Sequence, residues 1–215
     1  MKNYSLDGVE KMYSYYGKSP IFYKISSFII FFGAESFLRK RTVKNLELKS
    51  GDVVLDVACG MGGNFDYLLK KIGNKGKIFA VDYSSEMIMS ATKLAARKGY
   101  TNIKLIKMDV AKLDFPSDCF DGIISTIGFS SIPDYKEALD ITIKSLKKGK
   151  RIAILDAGLF RGHFKIFNPL IKILRWPTRW DKEKEFLKIV KSLSREVRIE
   201  YFLGGSFYLI TGIKR

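Results

Sequence analysis

Apolar positions along this chain fall into two rhythms. Short continuous runs, such as Val53, Val54, Leu55 and Val57, read as strands covered on both faces. Between them, apolar residues recur three and four apart, as in Phe65, Leu68, Leu69 and Ile72, which is the stripe of a half-buried helix. These rhythms predict strands at about 53–58, 77–82, 103–109, 120–125 and 151–156, and helices at about 63–72, 85–98 and 134–147. Helix starts carry their usual polar residues: Ser84 or Ser85 with Glu86, and Pro133 with Asp134. Strand and helix alternating in this way point to a doubly wound, mostly parallel α/β sheet. After Asp156 the pattern changes. A basic aromatic stretch covers about 159–180, a charged helix about 181–193, and two more strands about 196–203 and 206–213. Gly204 and Gly205 between those strands read as a tight antiparallel hairpin.

The first strand runs into a loop of small residues: Ala58, Cys59, Gly60, Met61, Gly62, Gly63. Strand, glycine loop and helix together bring backbone N–H groups and a helix N-terminus to a ligand. The next strand ends in Asp82, about twenty residues on, where an acid is placed to accept hydrogen bonds from ribose hydroxyls. A nucleoside-containing cofactor is therefore expected. The dinucleotide fingerprint fails, because Phe65 stands where its third glycine or alanine belongs. No Lys-Ser or Lys-Thr follows the glycines, so a Walker loop fails too. Asp56, two residues before the turn, suits an ammonium or another cation and would repel a pyrophosphate.

Six motifs follow in order: LDVACGMGG, FAVDYSSEM, Asp109 after IKLIKM, FDGIIST, the SIPD turn and LKKGKRIAILD. On these the chain resembles the class I S-adenosylmethionine-dependent methyltransferases. It is most similar to the branch holding the quinone C-methyltransferases and bacterial phospholipid N-methyltransferases. The resemblance covers 51–156, about half of the chain, and implies a Rossmann-like sheet closed by an antiparallel hairpin. It also implies S-adenosylmethionine as cofactor. Asp56, Ala58, Gly60 and Gly62 match the positions that hold its methionine end; many members have a glycine where Ala58 stands. Asp82 matches the ribose acid, and Tyr83 and Met87 the residues flanking the adenine. Asp109 matches the acid that binds the adenine amino group, with Val110 beside it. Ser125 and Thr126 lie beside the expected methyl-transfer position. The implied organisation is an N-terminal helical lid or substrate segment at 1–50 and a methyltransferase domain at 51–215, with 157–195 a substrate-side insertion.

Composition narrows the rest. With 47% hydrophobic residues in 215, the chain can bury a sizeable core, yet no stretch reaches the roughly 18–20 apolar residues that span a bilayer. The N-terminus lacks a signal-peptide pattern. Cys59, Cys119 and the single His163 do not cluster, so neither a disulfide framework nor a metal site is indicated, and a cytoplasmic protein is expected. The net charge of +16 sits on the flanks. Residues 1–50 have nine Lys and Arg against four acids, 51–156 sixteen against thirteen, and 157–215 thirteen against five.

Two flank segments join that charge to large apolar residues. In 20–41, Ile21, Phe22, Ile25, Phe28, Ile29 and Phe32 form a helical stripe, widened by Ile30 and Phe31, before the run Arg39, Lys40, Arg41. In 159–180, Phe160, Phe164, Phe167, Leu170, Ile171, Leu174, Trp176 and Trp180 interleave with Arg161, Lys165, Lys172, Arg175 and Arg179. Such segments suit an anionic membrane interface, here the inner face. A lid packed over the cleft is the plainer reading. RNA binding is disfavoured: no RNA-binding module is recognisable, and STIGFSSIPD lacks the Asn-Pro-Pro-aromatic type motif of enzymes methylating base amino groups.

The expected activity is methyl transfer to a lipid or lipophilic acceptor, a phospholipid amine or an isoprenoid quinone. A soluble small-molecule acceptor and a non-catalytic anion- or RNA-binding protein are the alternatives. An ammonium or phenol acceptor needs a general base. Asp156, His163 and Tyr16 are the candidates, and Tyr23 could also reach the cleft from the lid.

Overall fold

A computed structural model describes residues 5–18, 21, 25, 27–29, 31–174 and 182–215. Its elements are α1 (Leu6–Lys18), α2 (Glu35–Lys44), β1 (Val53–Val57), α3 (Phe65–Ile72), β2 (Lys77–Asp82), α4 (Ser85–Lys98), β3 (Ile103–Lys107), β4 (Phe120–Thr126), α5 (Tyr135–Ser145), β5 (Leu146–Ala157), α6 (Asn168–Leu174), α7 (Glu183–Leu193), β6 (Ser194–Phe202) and β7 (Phe207–Lys214). The strands form one seven-stranded sheet in the order β3-β2-β1-β4-β5-β7-β6. β1 to β5 run parallel, and β7 runs antiparallel to both β5 and β6. This is the Rossmann-like, hairpin-closed sheet expected from the sequence.

The two-residue period of the strands sorts the core into two layers. Val54, Ile78, Ala80, Ile124, Ala153 and Leu155 face one layer, under Leu38 and Val43 of α2 and Phe65, Leu68 and Ile72 of α3. Leu55, Val57, Val81, Ile123, Ile152 and Ile154 face the other, under Leu139 and Ile143 of α5 and Phe186 and Val190 of α7. Each large apolar side chain fully buried this way contributes about 1.5–3 kcal/mol. The alternation also decides where the chemistry goes: Asp56, two residues after Val54, points to the face that α2 and α3 cover.

Several boundaries differ from the sequence reading. The core reaches back before residue 51, since Leu38, Val43 and Leu46 are buried and the ring of Phe31 stacks on Phe207 at 5.3 Å. β3 stops at Lys107 because Asp109 leaves the strand to cap a 3-10 turn, its side chain accepting from the Ala111 N–H. β5 begins five residues early, at Leu146, which pairs with Phe120; a register irregularity then absorbs the polar stretch up to Arg151. The hairpin is looser than two residues. Phe202 pairs with Phe207, and Leu203, Gly204 and Gly205 turn with positive φ.

α1 packs on α4. Its Glu10 accepts from Ser85 Oγ at 3.4 Å and pairs with Lys107 at 3.5 Å, and its Tyr13 hydroxyl bonds Ser131 Oγ at 2.7 Å. It thus touches the start of α4, the end of β3 and the loop after β4, all at the carboxyl edge of the sheet.

Candidate cofactor site

Register alone gathers the candidate residues. Val57 lies level with Val81 on one side and Ser125 on the other, so Ala58, Asp82 and Thr126 emerge together at the tips of β1, β2 and β4. β1 is also where the chain's crossovers diverge, to β2 on one side and β4 on the other. That switch point is where open α/β sheets bind ligands.

The loop after β1 needs small residues for stated reasons. Ala58 has φ +51° and Gly62 φ +86°. A Cβ on Gly62 would lie 2.4 Å from the buried Phe65 ring. A Cβ on Gly128, after β4, would lie 2.6 Å from both the Ala58 Cβ and Ser125 Oγ. The two loops therefore approach with no room for another side chain. Asp82 fixes their partner: its Oδ2 accepts from the Gly60 N–H at 2.8 Å and its Oδ1 from the Ser84 N–H at 2.9 Å. Burial raises the Asp82 carboxyl above its usual value, against the opposing effect of those N–H groups. Burial also pushes the Cys59 thiol well up, helped by Asp82 and Asp56, so Cys59 is an uncharged filler.

Asp56 is fully buried, and its Oδ1 accepts from Asn64 Nδ2 at 2.9 Å while its Oδ2 has no partner. Burial raises its carboxyl to about 7, although the Asn64 bond and the Arg39 charge pull it down. Asp109 repeats the arrangement: Oδ1 accepts from the Ala111 N–H at 3.0 Å, and Oδ2 is buried without a partner. Ser125 Oγ is a third buried atom without one. Buried polar atoms without partners are uncommon in folded proteins, and each calls for a ligand or water. Two of these atoms are carboxylate oxygens, one after β3 and one inside β1. Met87 and Val110 are buried, Val110 directly after Asp109, and Tyr83 is half-buried with Lys107 Nζ 5.8 Å over its ring.

The candidate bases fare differently. Asp156 is fully buried and engaged: its Oδ1 accepts from Ser130 Oγ at 2.7 Å and from the Ala157 N–H, its Oδ2 from the Ser130 N–H at 3.0 Å. Burial lifts it to about 6, and these bonds hold the loop after β4. Lys182 braces the same loop, donating to the Ser130 carbonyl at 3.2 Å. His163 is exposed on the turn Gly162–Phe167 and shares no hydrogen bond with the site carboxylates. The Tyr16 side chain lies outside the described residues, as do those of Ile171 and Leu174 and the whole of Tyr23, Phe22, Ile30, Arg175, Trp176, Arg179 and Trp180.

Arg39 and Asn64 are site residues that the sequence reading passed over. Arg39 stood in a basic run assigned to a surface, yet it is buried, donating to Asn64 Oδ1 at 2.8 Å, to Thr126 Oγ1, and to Glu35 Oε1 at 2.8 Å. Thr126 is thereby part of this network. Arg41 pairs with Glu200 at 2.7 Å, so of that run Lys40 is the exposed member. Asn64 sits at the N-cap of α3 but makes no cap bond, because its amide is diverted to Asp56 and Arg39. An N-cap residue directly after a glycine loop was the available signal.

Comparison with known proteins agrees with the geometry. A family model described as "Methyltransferase domain" matches residues 48–202, well over half of the chain. The demethylmenaquinone methyltransferase of Listeria monocytogenes is 27% identical over 171 residues, covering 75% of this chain and 72% of that protein. A SAM-dependent methyltransferase from Aquifex aeolicus shares the fold with a TM-score of 0.64 at 22% identity, over 82% of this chain and 89% of that one. Phosphoethanolamine N-methyltransferase 2 of Haemonchus contortus, solved with S-adenosylhomocysteine, does so at 0.67 and 14%, over 78% of this chain and 49% of that one. The chain therefore belongs to the methyltransferase-domain family and is a methyltransferase of the Rossmann-like, S-adenosylmethionine-dependent fold.

Proposed function

We propose that this methyltransferase holds S-adenosylmethionine along the tips of β1 to β4 and methylates a lipid or lipophilic acceptor, an isoprenoid quinone or a phospholipid amine, at an anionic membrane surface. The observation that carries the cofactor placement is the pair of buried, unpartnered oxygens, Asp56 Oδ2 and Asp109 Oδ2. Asp56 and the loop at Ala58, Gly60 and Gly62 would hold the methionine end. Asp82 keeps lone pairs for the ribose hydroxyls beside the two N–H bonds it already accepts. Tyr83 and Met87 would flank the adenine, and Asp109 with Val110 would take its amino group. Ser125 Oγ would lie next to the reacting methyl. When bound, the cofactor supplies a methyl on a sulfonium that carries its own leaving group. The chain's own task is then to orient the acceptor and exclude water, which can contribute several kcal/mol. α1, which rests on α4, β3 and the loop after β4, would serve as the lid.

Three observations support the lipid acceptor. Phe28, Ile29 and Phe32 are more than half exposed, as are Phe164, Ile166, Phe167 and Leu170. The two groups adjoin, with Phe32 and Phe160 rings 6.4 Å apart and Phe160 in turn 6.1 Å from Phe164 and 6.3 Å from Phe167. Exposed aromatic surface of this kind marks an interaction site. Lys40, Lys165 and Lys172 are exposed on the same segments, and each cation held near an anionic leaflet contributes about 1 kcal/mol. Quinone-named relatives at 27% identity point the same way. No helix among the described residues is long and apolar enough to cross a membrane.

The test is product analysis. The enzyme is incubated with methyl-labelled cofactor and a total lipid extract, and separately with a soluble metabolite extract. Label in the lipid phase is expected. Label confined to the aqueous metabolites would overturn the lipid reading. In parallel, the protein should sediment with anionic vesicles far more than with zwitterionic ones, and Lys165→Glu/Lys172→Glu should lower that binding without changing cofactor affinity.

A further inference from the structure

We propose that Arg39 is a positioning residue for cofactor capture: it fixes the orientation of Asn64 and, through it, of the Asp56 carboxylate, tying a helix that precedes the family-matched residues to the methionine end of the site. The inference rests on the assignment of Asp56 to that end.

A guanidinium can only donate. Arg39 therefore requires acceptors, and it finds Asn64 Oδ1 at 2.8 Å, Thr126 Oγ1, and Glu35 Oε1. With its oxygen committed to Arg39, Asn64 must present Nδ2 to Asp56, which it does at 2.9 Å. The flipped amide would set its NH2 against the guanidinium and its oxygen against the carboxylate, unfavourable on both sides. Arg39 thus selects the rotamer in which Asp56 Oδ1 is filled and Oδ2 alone is left for a ligand. Arg39 is itself held from its own segment. Glu35, which receives its Nε, also accepts from Ser27 Oγ, and the Phe31 ring lies 5.7 Å beneath the guanidinium. Across the gap, a Cβ on Gly63 would fall 2.7 Å from Arg39 Cζ, so residue 63 must lack a side chain for the guanidinium to reach Asn64.

The same geometry has an electrostatic side. Asp56 faces Arg39 from α2, Asp82 from β2 and the Cys59 thiol from the loop. Burial and Asp82 favour the protonated acid, while Asn64 and Arg39 favour the anion. A cationic ligand group needs the anion, so loss of Arg39 should move cofactor binding to higher pH.

Binding of S-adenosylhomocysteine by calorimetry, from pH 5.5 to 8.5, tests this without any turnover. Wild type should gain affinity through a midpoint near pH 7. Arg39→Met should raise that midpoint by about one pH unit, the lower end of what a nearby opposite charge supplies. Arg39→Lys, which keeps the charge, should stay near wild type. Gly63→Ala, which only displaces the flexible guanidinium, should shift the midpoint the same way by less, and it serves if Arg39→Met folds poorly. An Arg39→Met midpoint equal to wild type, with affinity merely lowered at every pH, would reduce Arg39 to packing and overturn the proposal. Asp56→Asn is the separate control. If that variant binds with wild-type affinity and pH dependence, the assignment of Asp56 fails, whatever Arg39 does.

Discussion

Asp56→Asn should make the protein more stable at alkaline pH while weakening its hold on the cofactor. In the folded chain burial raises the Asp56 carboxyl from 3.8 to about 7. Between those values the folded state carries a proton that the unfolded chain has released. Stability therefore falls as pH rises through this window, until the folded carboxyl also ionises. For a shift of about three units, at 1.36 kcal/mol per unit, the integrated destabilisation from Asp56 reaches about 4 kcal/mol above pH 7. About 2.5 kcal/mol of it accumulates between pH 5 and pH 8. An asparagine keeps the shape and can still accept from Asn64 Nδ2, but it has no charge to bury. Urea unfolding of wild type and variant at pH 5, 6, 7 and 8 reads the difference directly. Asp156 also has a raised carboxyl and adds to the wild-type slope, but it is common to both proteins and cancels. Asp82, which couples to Asp56, ionises more readily once that charge is gone, so its change widens the gap in the same direction. The stability gap should widen by about 2.5 kcal/mol from pH 5 to pH 8, or roughly 5–10 °C in melting temperature for a chain of this size. Parallel stability curves over that range would refute the reasoning.

Asp82→Ala removes the acceptor of the Gly60 and Ser84 N–H groups as well as the proposed ribose partner, so S-adenosylhomocysteine affinity should fall by about 100-fold or more in calorimetry, at roughly 1.5–3 kcal/mol per charge-assisted bond. Gly62→Ala sets a Cβ at 2.4 Å from the Phe65 ring on a backbone with φ +86°, and the strain should lower the melting temperature by several degrees, at about 1–3 kcal/mol. Arg41→Ala breaks only the half-exposed pair with Glu200, so unfolding should change by less than about 1 kcal/mol. A larger loss would mean that the pair anchors α2 to β6.

What could be read from the sequence depended on how local the cause was. β1 and β2 are largely apolar runs, and their neighbours in the sheet add little that the runs do not already imply. The glycine loop was legible because a positive φ leaves its mark on residue choice. Arg39 was not, because its burial comes from Asn64, 25 residues on, and Thr126, 87 residues on. No local rhythm sets it apart: Glu35, Ser36, Lys40 and Arg41 surround it in sequence just as they would a solvated arginine. Asp156 shows the converse. An acid at the tip of a strand looks free in sequence, yet Ser130 donates to both its oxygens.

β7 follows every other strand in the chain yet lies inside the sheet, between β5 and β6, with Phe207 to Ile213 all buried. During synthesis, then, β5 presents an open, apolar edge from the time it forms until β7 arrives to cover it. Unpaired edges are templates for pairing with other chains. Nascent chains stalled before β7 should be the ones that aggregate. Until β7 pairs with it, β5 has a strand partner on one side alone, β4.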